Sequence, residues 1–229
     1  MRRIWAKLGF AALAALCVIL AIAIRLPKGA RPASSRGGAL IVIDAHALTL
    51  TLYHDGSLVK RYPIAIGAYG MPTPLGTFYI NKRYVPKNSD MGTRFLGLSV
   101  PWGVYGIHGT SNPGSIGSRA SHGCVRMLNR DAEDLYKRVY VGTPVIIESG
   151  PYGELGDKLP TLTFDDRGSR VRAVQRKLLA LGYDPGGLDG VFGPGSRRAL
   201  IRFKRDHGLP PTGIVDDETY RALGIMLFE

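Results

Sequence analysis

Cysteine is nearly absent from this chain: 229 residues hold two, Cys17 and Cys124. Cys17 lies inside an apolar stretch and cannot reach Cys124 in a folded exterior domain, so an intramolecular disulfide framework is excluded. Cys-x-x-Cys and His-x-x-x-His pairs are missing too. His108, His122 and Cys124 are therefore ligand types without ligand spacing, and neither a metal nor any other cofactor is expected. Acidic residues are scarce, 18 against 30 basic ones, for a formal net charge of +12. Such a balance calls for anionic surroundings: nucleic acid, anionic lipid or an anionic wall polymer. The basic residues are scattered and no nucleic-acid-binding motif accompanies them, so no nucleic-acid partner is expected. Charged residues make up 21% and hydrophobic ones 45%, which excludes wholesale disorder.

Glycine and proline, by contrast, are plentiful, at 30 and 15. Their turns suit β-rich architecture better than a helical bundle. After a cytoplasmic 1–7 carrying Arg2, Arg3 and Lys7, residues 8–24 run without a charge. That length falls between a secretory h-region and a spanning helix, and it fits a retained single-pass signal anchor better than a cleaved signal peptide. The bulk of the chain is then expected outside the cytoplasm, at the cell membrane on its wall side. Residues 25–38 read as a Pro/Gly/Ser-rich linker. From Ala39 short β-branched runs follow one another, with Asp55-Gly56 as a hairpin turn. "GTFYINKRYV" and "TPVIIES" add strands, and 129–142 reads as a helix with Leu135 and Val139 four apart. Residues 39–149 are thus expected to form a mainly β, mostly antiparallel domain. Residues 150–163 make a second linker, beyond which the period becomes helical. Val171, Val174, Leu178 and Leu179 share one helix face; Pro194 suits a first turn, with Ala199, Leu200 and Phe203 on one face. Asp216 suits a cap. Residues 164–229 are read as a small three-helix domain without catalytic features.

Chemistry concentrates in "SRASHGCVRM" (118–127). A nucleophilic cysteine needs a base or cation, an exposed turn, and donors for a developing oxyanion. His108 stands sixteen residues upstream at a strand end, ample for a connection that returns Cys124 beside it. His122 is too near along the chain to be the obvious base. Gly123 permits close approach and an unusual backbone angle. A buried structural thiol is the ordinary alternative, but Ser, His, Gly and Arg are poor core neighbours. A cysteine–histidine acyl-transfer site is the best chemical reading of these residues, with zinc as the lesser one.

"IHGT" (107–110) followed by "SHGCVRM" (121–127) resembles the signature of the L,D-transpeptidase catalytic domain, the YkuD-type fold. "YPIAIGAYGMPTPLGTF" (62–78) adds the Gly and the Thr-Pro-x-Gly before a strand. The resemblance covers 39–149 and implies a β-sandwich that cuts a peptidoglycan stem tetrapeptide after its third residue, then passes the acyl group to an amine of a second stem. It implies Cys124 as nucleophile and His108 as base. Gly109 would orient the imidazole through its carbonyl, and the amides of Gly123 and Cys124, with His122, would hold the oxyanion. Arg126 would hold a substrate carboxylate or carbonyl, an ion pair within the fold being the alternative. Ser121 would fix the turn. Residues 81–100 would belong to a substrate-covering loop, and His46, His54 and His207 would lie on the surface. "GSRVRAVQRKLLALGY", "GLDGVFGPGSRRALIRFKRDHGL" and "PTGIVDDETYRAL" resemble the three-helix peptidoglycan-binding domain, which implies a module that holds the enzyme on stem peptides and glycan. Release of the acyl group to water, as in an L,D-carboxypeptidase, and a non-catalytic wall-binding protein stay open at this point.

Overall fold

A computed structural model describes residues 38–87, 89–150, 155–156 and 158–225. The expected anchor at 8–24, with Cys17, and nearly all of the first linker lie outside the described residues. Among the described residues no helix is long and apolar enough to cross a membrane.

The β-rich half begins with β1 (Ala39–Asp44), β2 (Thr49–His54) and β3 (Ser57–Pro63). Asp55 and Gly56 both take positive φ, +49° and +78°, the geometry that lets a two-residue loop follow the twist of β2 and β3. Further along come β4 (Ile66–Gly67), β5 (Gly76–Tyr84), β6 (Phe95–Leu98), β7 (Tyr105–His108), β8 (Arg119–Ser121), β9 (Val125–Arg126) and β10 (Pro144–Glu148). Eight strands form one continuous sheet in the order β3-β2-β1-β10-β5-β6-β7-β9, and β4 pairs with β8 beside it. β5 is the joint. Its first half pairs with β10, its second half with β6, and the register shifts between Ile80 and Lys82, a bulge of the kind that bends a strand. Pairing is mostly antiparallel, but β1–β10, β4–β8 and β7–β9 run parallel.

Alternation decides which side chains are inside. Along β1, Ile41 and Ile43 are wholly buried while Val42 is half-exposed, the pattern of a strand with one covered face. Each such aliphatic contributes about 1.5–3 kcal/mol on burial. Helix α1 (Asn129–Arg138) packs on this core through Ala132 and Leu135. It stops four residues short of the expected 142. Val139 is extended, and Arg83 donates to the carbonyls of Tyr136 (2.6 Å) and Val139 (2.7 Å), satisfying the helix end from β5. Asp134 ties the helix to the β3 edge. It accepts from Lys60 (2.8 Å), Tyr62 (3.0 Å) and Arg138 (2.8 Å), and Lys60 foremost holds its carboxyl down at about 2.

A second core belongs to α2 (Ser169–Ala180), α3 (Pro194–Asp206) and α4 (Asp217–Ala222). Val171, Val174 and Leu178 face it, as do Ala199, Leu200 and Phe203. Leu179 does not; it is 46% exposed, since the stripe along α2 is narrower than its spacing suggests. Asp216 caps α4 by accepting from the Thr219 amide. Lys204 is fully buried, its ammonium donating to Thr212, Ile214 O and Asp216.

The helical module is not merely tethered. The Leu75 amide donates to Ser169 Oγ at 2.6 Å, the Arg172 guanidinium lies 5.5 Å over the Phe78 ring, and Gly190 sits against Trp102 so closely that a Cβ there would enter the indole. Residues 81–100 also differ from expectation: 81–84 and 95–98 are sheet strands, leaving only 85–94 as a connection.

Candidate active site

Strand register assembles the site. β7 and β9 pair in parallel, with Ile107 opposite Val125 and His108 opposite Arg126. Because side chains alternate, Ile107 and Val125 enter the core, at 1% and 0% exposure. His108 and Arg126 then share the opposite face, and two residues back along the same register Gly106 and Cys124 join them. Gly106, with no side chain, makes room for the Phe95 ring, which a Cβ there would enter, and turns its amide toward the Cys124 sulfur.

His108 is buried and lies against Phe95, its partner across β6–β7, with ring centroids 5.9 Å apart at 15°. Its Nδ1 donates to the Gly109 carbonyl at 2.5 Å, which leaves Nε2 with the lone pair. Burial chiefly pushes the imidazole pKa below its usual value. The Arg126 charge adds to that, while the carbonyls of Gly109 and Met91 oppose it. Cys124 is half-buried with a free thiol. Burial pushes that thiol up, against the Gly106 amide and the Arg126 charge. The two groups therefore rest as neutral thiol and neutral imidazole. No hydrogen bond joins them among the described residues; catalytic pairs often close only when substrate arrives.

The turn before Cys124 is pinned by Ser121, which is buried. Its hydroxyl donates to Cys124 O (2.5 Å) and accepts from the Gly123 amide (3.1 Å). The Gly123 N–H, one of the expected oxyanion donors, thus already donates to Ser121. The Cys124 amide donates to no loop carbonyl or side chain among the described residues. Gly123 itself has φ +110°, and a Cβ there would lie 2.7 Å from the Tyr105 ring. Only glycine fits. His122 is exposed and lines the neighbouring cleft. Arg126 is locked by backbone bonds to Ala65 (2.8 and 2.9 Å), and its buried Nε has no partner. His46, His54 and His207 are exposed.

Asn129 escaped the reading of the sequence, where it served only as a helix start. Its Oδ1 accepts from the amides of Thr93 (3.2 Å) and Thr110 (3.1 Å), clasping the loop after β7 to the loop before β6. Gly92 and Gly109 both press on that oxygen. Asn129 thus positions the carbonyl that orients His108. Replacement by alanine orphans two amides, at about 1–3 kcal/mol each. Asn129→Ala is expected to lower turnover at this site about tenfold, and Asn129→Asp, which keeps the acceptor, to restore most of it. An alanine variant as fast as the parent would remove this role. The signal available in the sequence was spacing alone, an amide five residues after Cys124.

Residues 38–147 match the family described as the L,D-transpeptidase catalytic domain, and residues 167–223 the family described as "Putative peptidoglycan binding domain". Over 107 residues, 47% of the chain, the sequence is 45% identical to the Bacillus licheniformis protein named "Putative L,D-transpeptidase YkuD" and covers 64% of it. The Bacillus subtilis protein of the same name is 44% identical over the same shares. The chain thus spans just under two thirds of the length of these relatives. A solved structure of an L,D-transpeptidase from Mycobacterium smegmatis is similar at 28% identity over 49% of this chain and 59% of that one, with a TM-score of 0.42.

Proposed function

We propose, for a chain that joins an L,D-transpeptidase catalytic domain at 38–147 to a peptidoglycan-binding domain at 167–223, that Cys124 and His108 carry out acyl transfer between peptidoglycan stem peptides. The supporting observation is the parallel β7–β9 register, which sets Gly106, His108, Cys124 and Arg126 on one face.

In this reading Cys124 Sγ attacks the carbonyl of the third stem residue while His108 Nε2 takes the thiol proton. The carbonyl oxygen becomes an oxyanion, met by the Cys124 amide. Collapse breaks the C–N bond to the fourth residue, which leaves as an amine with the proton from His108. A thioester remains on Cys124. The amine of a second stem then attacks it, His108 takes one proton from that amine, and the thiol is restored with its proton. Arg126 lies opposite His108 in this register, has a buried Nε without a hydrogen-bond partner, and would hold a substrate carboxylate or carbonyl. The helical module would keep the enzyme on its polymer, and an anchor formed by residues 8–24 would place both at the membrane's outer side.

The test is incubation of the protein with a stem tetrapeptide, with and without an amine acceptor, followed by mass analysis of protein and products. The expected result is a tripeptide thioester on Cys124 and a product in which the tripeptide is joined to the acceptor. Free tripeptide in both arms would make water the acceptor, and absence of any adduct would end the acyl-enzyme reading.

A further inference from the structure

Beside the Cys124 turn opens a cavity of about 590 Å³ with two walls from different parts of the chain. One wall is catalytic-domain surface: Pro72, Tyr105 and His122. The other is the start of the helical module: Arg167, Gly168 and Ser169. The cavity adjoins the candidate site: Tyr105 and Pro72, which line it, are also the groups a Cβ on Gly123 would meet, and His122 of the same turn lines it too.

The module wall is rigidly set. Arg167 bridges Val191 through its backbone, the Gly168 amide donates to Gly190 O at 2.8 Å, and Ser169 accepts from Leu75 of the opposite wall. Its charged side chains are mostly occupied. Asp166 accepts from the Thr163 amide at 2.6 Å, and Arg170 donates to Leu155 O and Lys158 O at 2.9 and 3.0 Å. Arg167 differs: it is exposed, lines the cavity and donates no side-chain hydrogen bond among the described residues, its charge acting only at a distance to help hold the Asp189 carboxyl down.

We infer that the helical module does more than tether the enzyme: it completes the peptide-binding cleft, with Arg167 taking a carboxylate of the stem peptide that reaches Cys124. This rests on the acyl-transfer reading for the identity of the ligand. An exposed guanidinium with its hydrogen-bond donors open beside this groove suits an anionic peptide, since its fork matches a carboxylate with two parallel bonds. A module bound only through a flexible linker would have no reason to hold an arginine with open hydrogen-bond donors at the cavity, two residues before the helix that docks it.

The test uses the full chain carrying Cys124→Ala, so that binding is read without turnover, with a soluble stem tetrapeptide as probe and calorimetry as readout. Arg167→Glu is expected to weaken binding tenfold or more and Arg167→Lys only severalfold, whereas Arg198→Glu, an exposed arginine on α3, stays within twofold. The same peptide with its carboxylates amidated should bind more weakly and respond little to Arg167→Glu. Equal binding by the Arg167→Glu and parent proteins, an equal loss with the amidated peptide, or no binding of the tetrapeptide by the parent would each overturn the proposal. Its failure is separable from that of the acyl-transfer reading. Binding that depends on Arg167, with no thioester on the protein that retains Cys124, would sink the reaction and leave the cleft standing. A thioester that forms while Arg167→Glu changes nothing would do the reverse.

Discussion

Cys124→Ala is expected to abolish the acyl adduct and to lower acyl transfer by about 10⁴-fold or more, the loss typical when a covalent nucleophile is removed. The physical reason is that no other group in the site replaces the sulfur. Ser121, the nearest hydroxyl along the chain, is buried and already bonded on both sides, donating to Cys124 O and accepting from the Gly123 amide. His122 is exposed and lines the cleft. The substitution removes one half-buried sulfur from a turn held by backbone geometry, so thermal stability should stay within a few degrees of the parent. Cys124→Ser is expected to fare little better. Its hydroxyl is a far weaker nucleophile, and a neutral, buried imidazole would have to activate it without a hydrogen bond already in place. Intact-mass analysis after exposure to a stem tetrapeptide, together with product quantification, reads both variants. Product at parental rate from the alanine protein would dispose of Cys124 as the nucleophile.

Much of this site was legible before any coordinates, and the reason is local chemistry. A glycine turn, a cysteine and a histidine sixteen residues upstream are sequence-local cues, and so was the Asp55-Gly56 hairpin, whose positive φ values follow from residue type. The helical stripes at Val171, Val174 and Leu178 and at Ala199, Leu200 and Phe203 were readable as periodicity. What stayed hidden depends on pairing between distant segments. Nothing in "YGIH" or "CVR" states that the two strands run parallel, nor that Gly106 faces Cys124, because register is a property of two strands at once. That the Gly123 amide donates to the Ser121 hydroxyl two residues away is likewise visible only in three dimensions. Asn129 was read as the start of a helix, which it is, while its side chain works across two loops. The module was read as a bead on a linker because Gly190 against Trp102 and Ser169 against Leu75 leave no periodic trace.

His108→Gln carries the second large expected effect, a loss of about 10²–10⁴-fold in acyl transfer, the range associated with a positioned general base. Its sharper consequence concerns pH. Burial foremost keeps the His108 imidazole below the ordinary value of about 6.5, so the ring is neutral at pH 7 with Nε2 ready to accept. The rate should therefore be full at neutral pH and fall only as pH drops through a value below that ordinary one, where the ring becomes protonated and loses its lone pair. Burial acts oppositely on Cys124, holding the thiol protonated beyond its usual range. Alkylation of Cys124 by iodoacetamide should consequently be slow at pH 7 and rise only in the alkaline range. A thiolate–imidazolium pair would behave otherwise, alkylating rapidly even at pH 6. Gln at 108 keeps a donor for the Gly109 carbonyl and much of the packing against Phe95, but offers no base. The variant should lose the acidic limb of its rate profile together with its rate, while its alkylation curve hardly moves. Stopped acylation assays across pH, run beside alkylation rates on the same protein, separate the two arrangements: rapid alkylation at pH 6, abolished in His108→Gln, would establish the ion pair and overturn the neutral resting state.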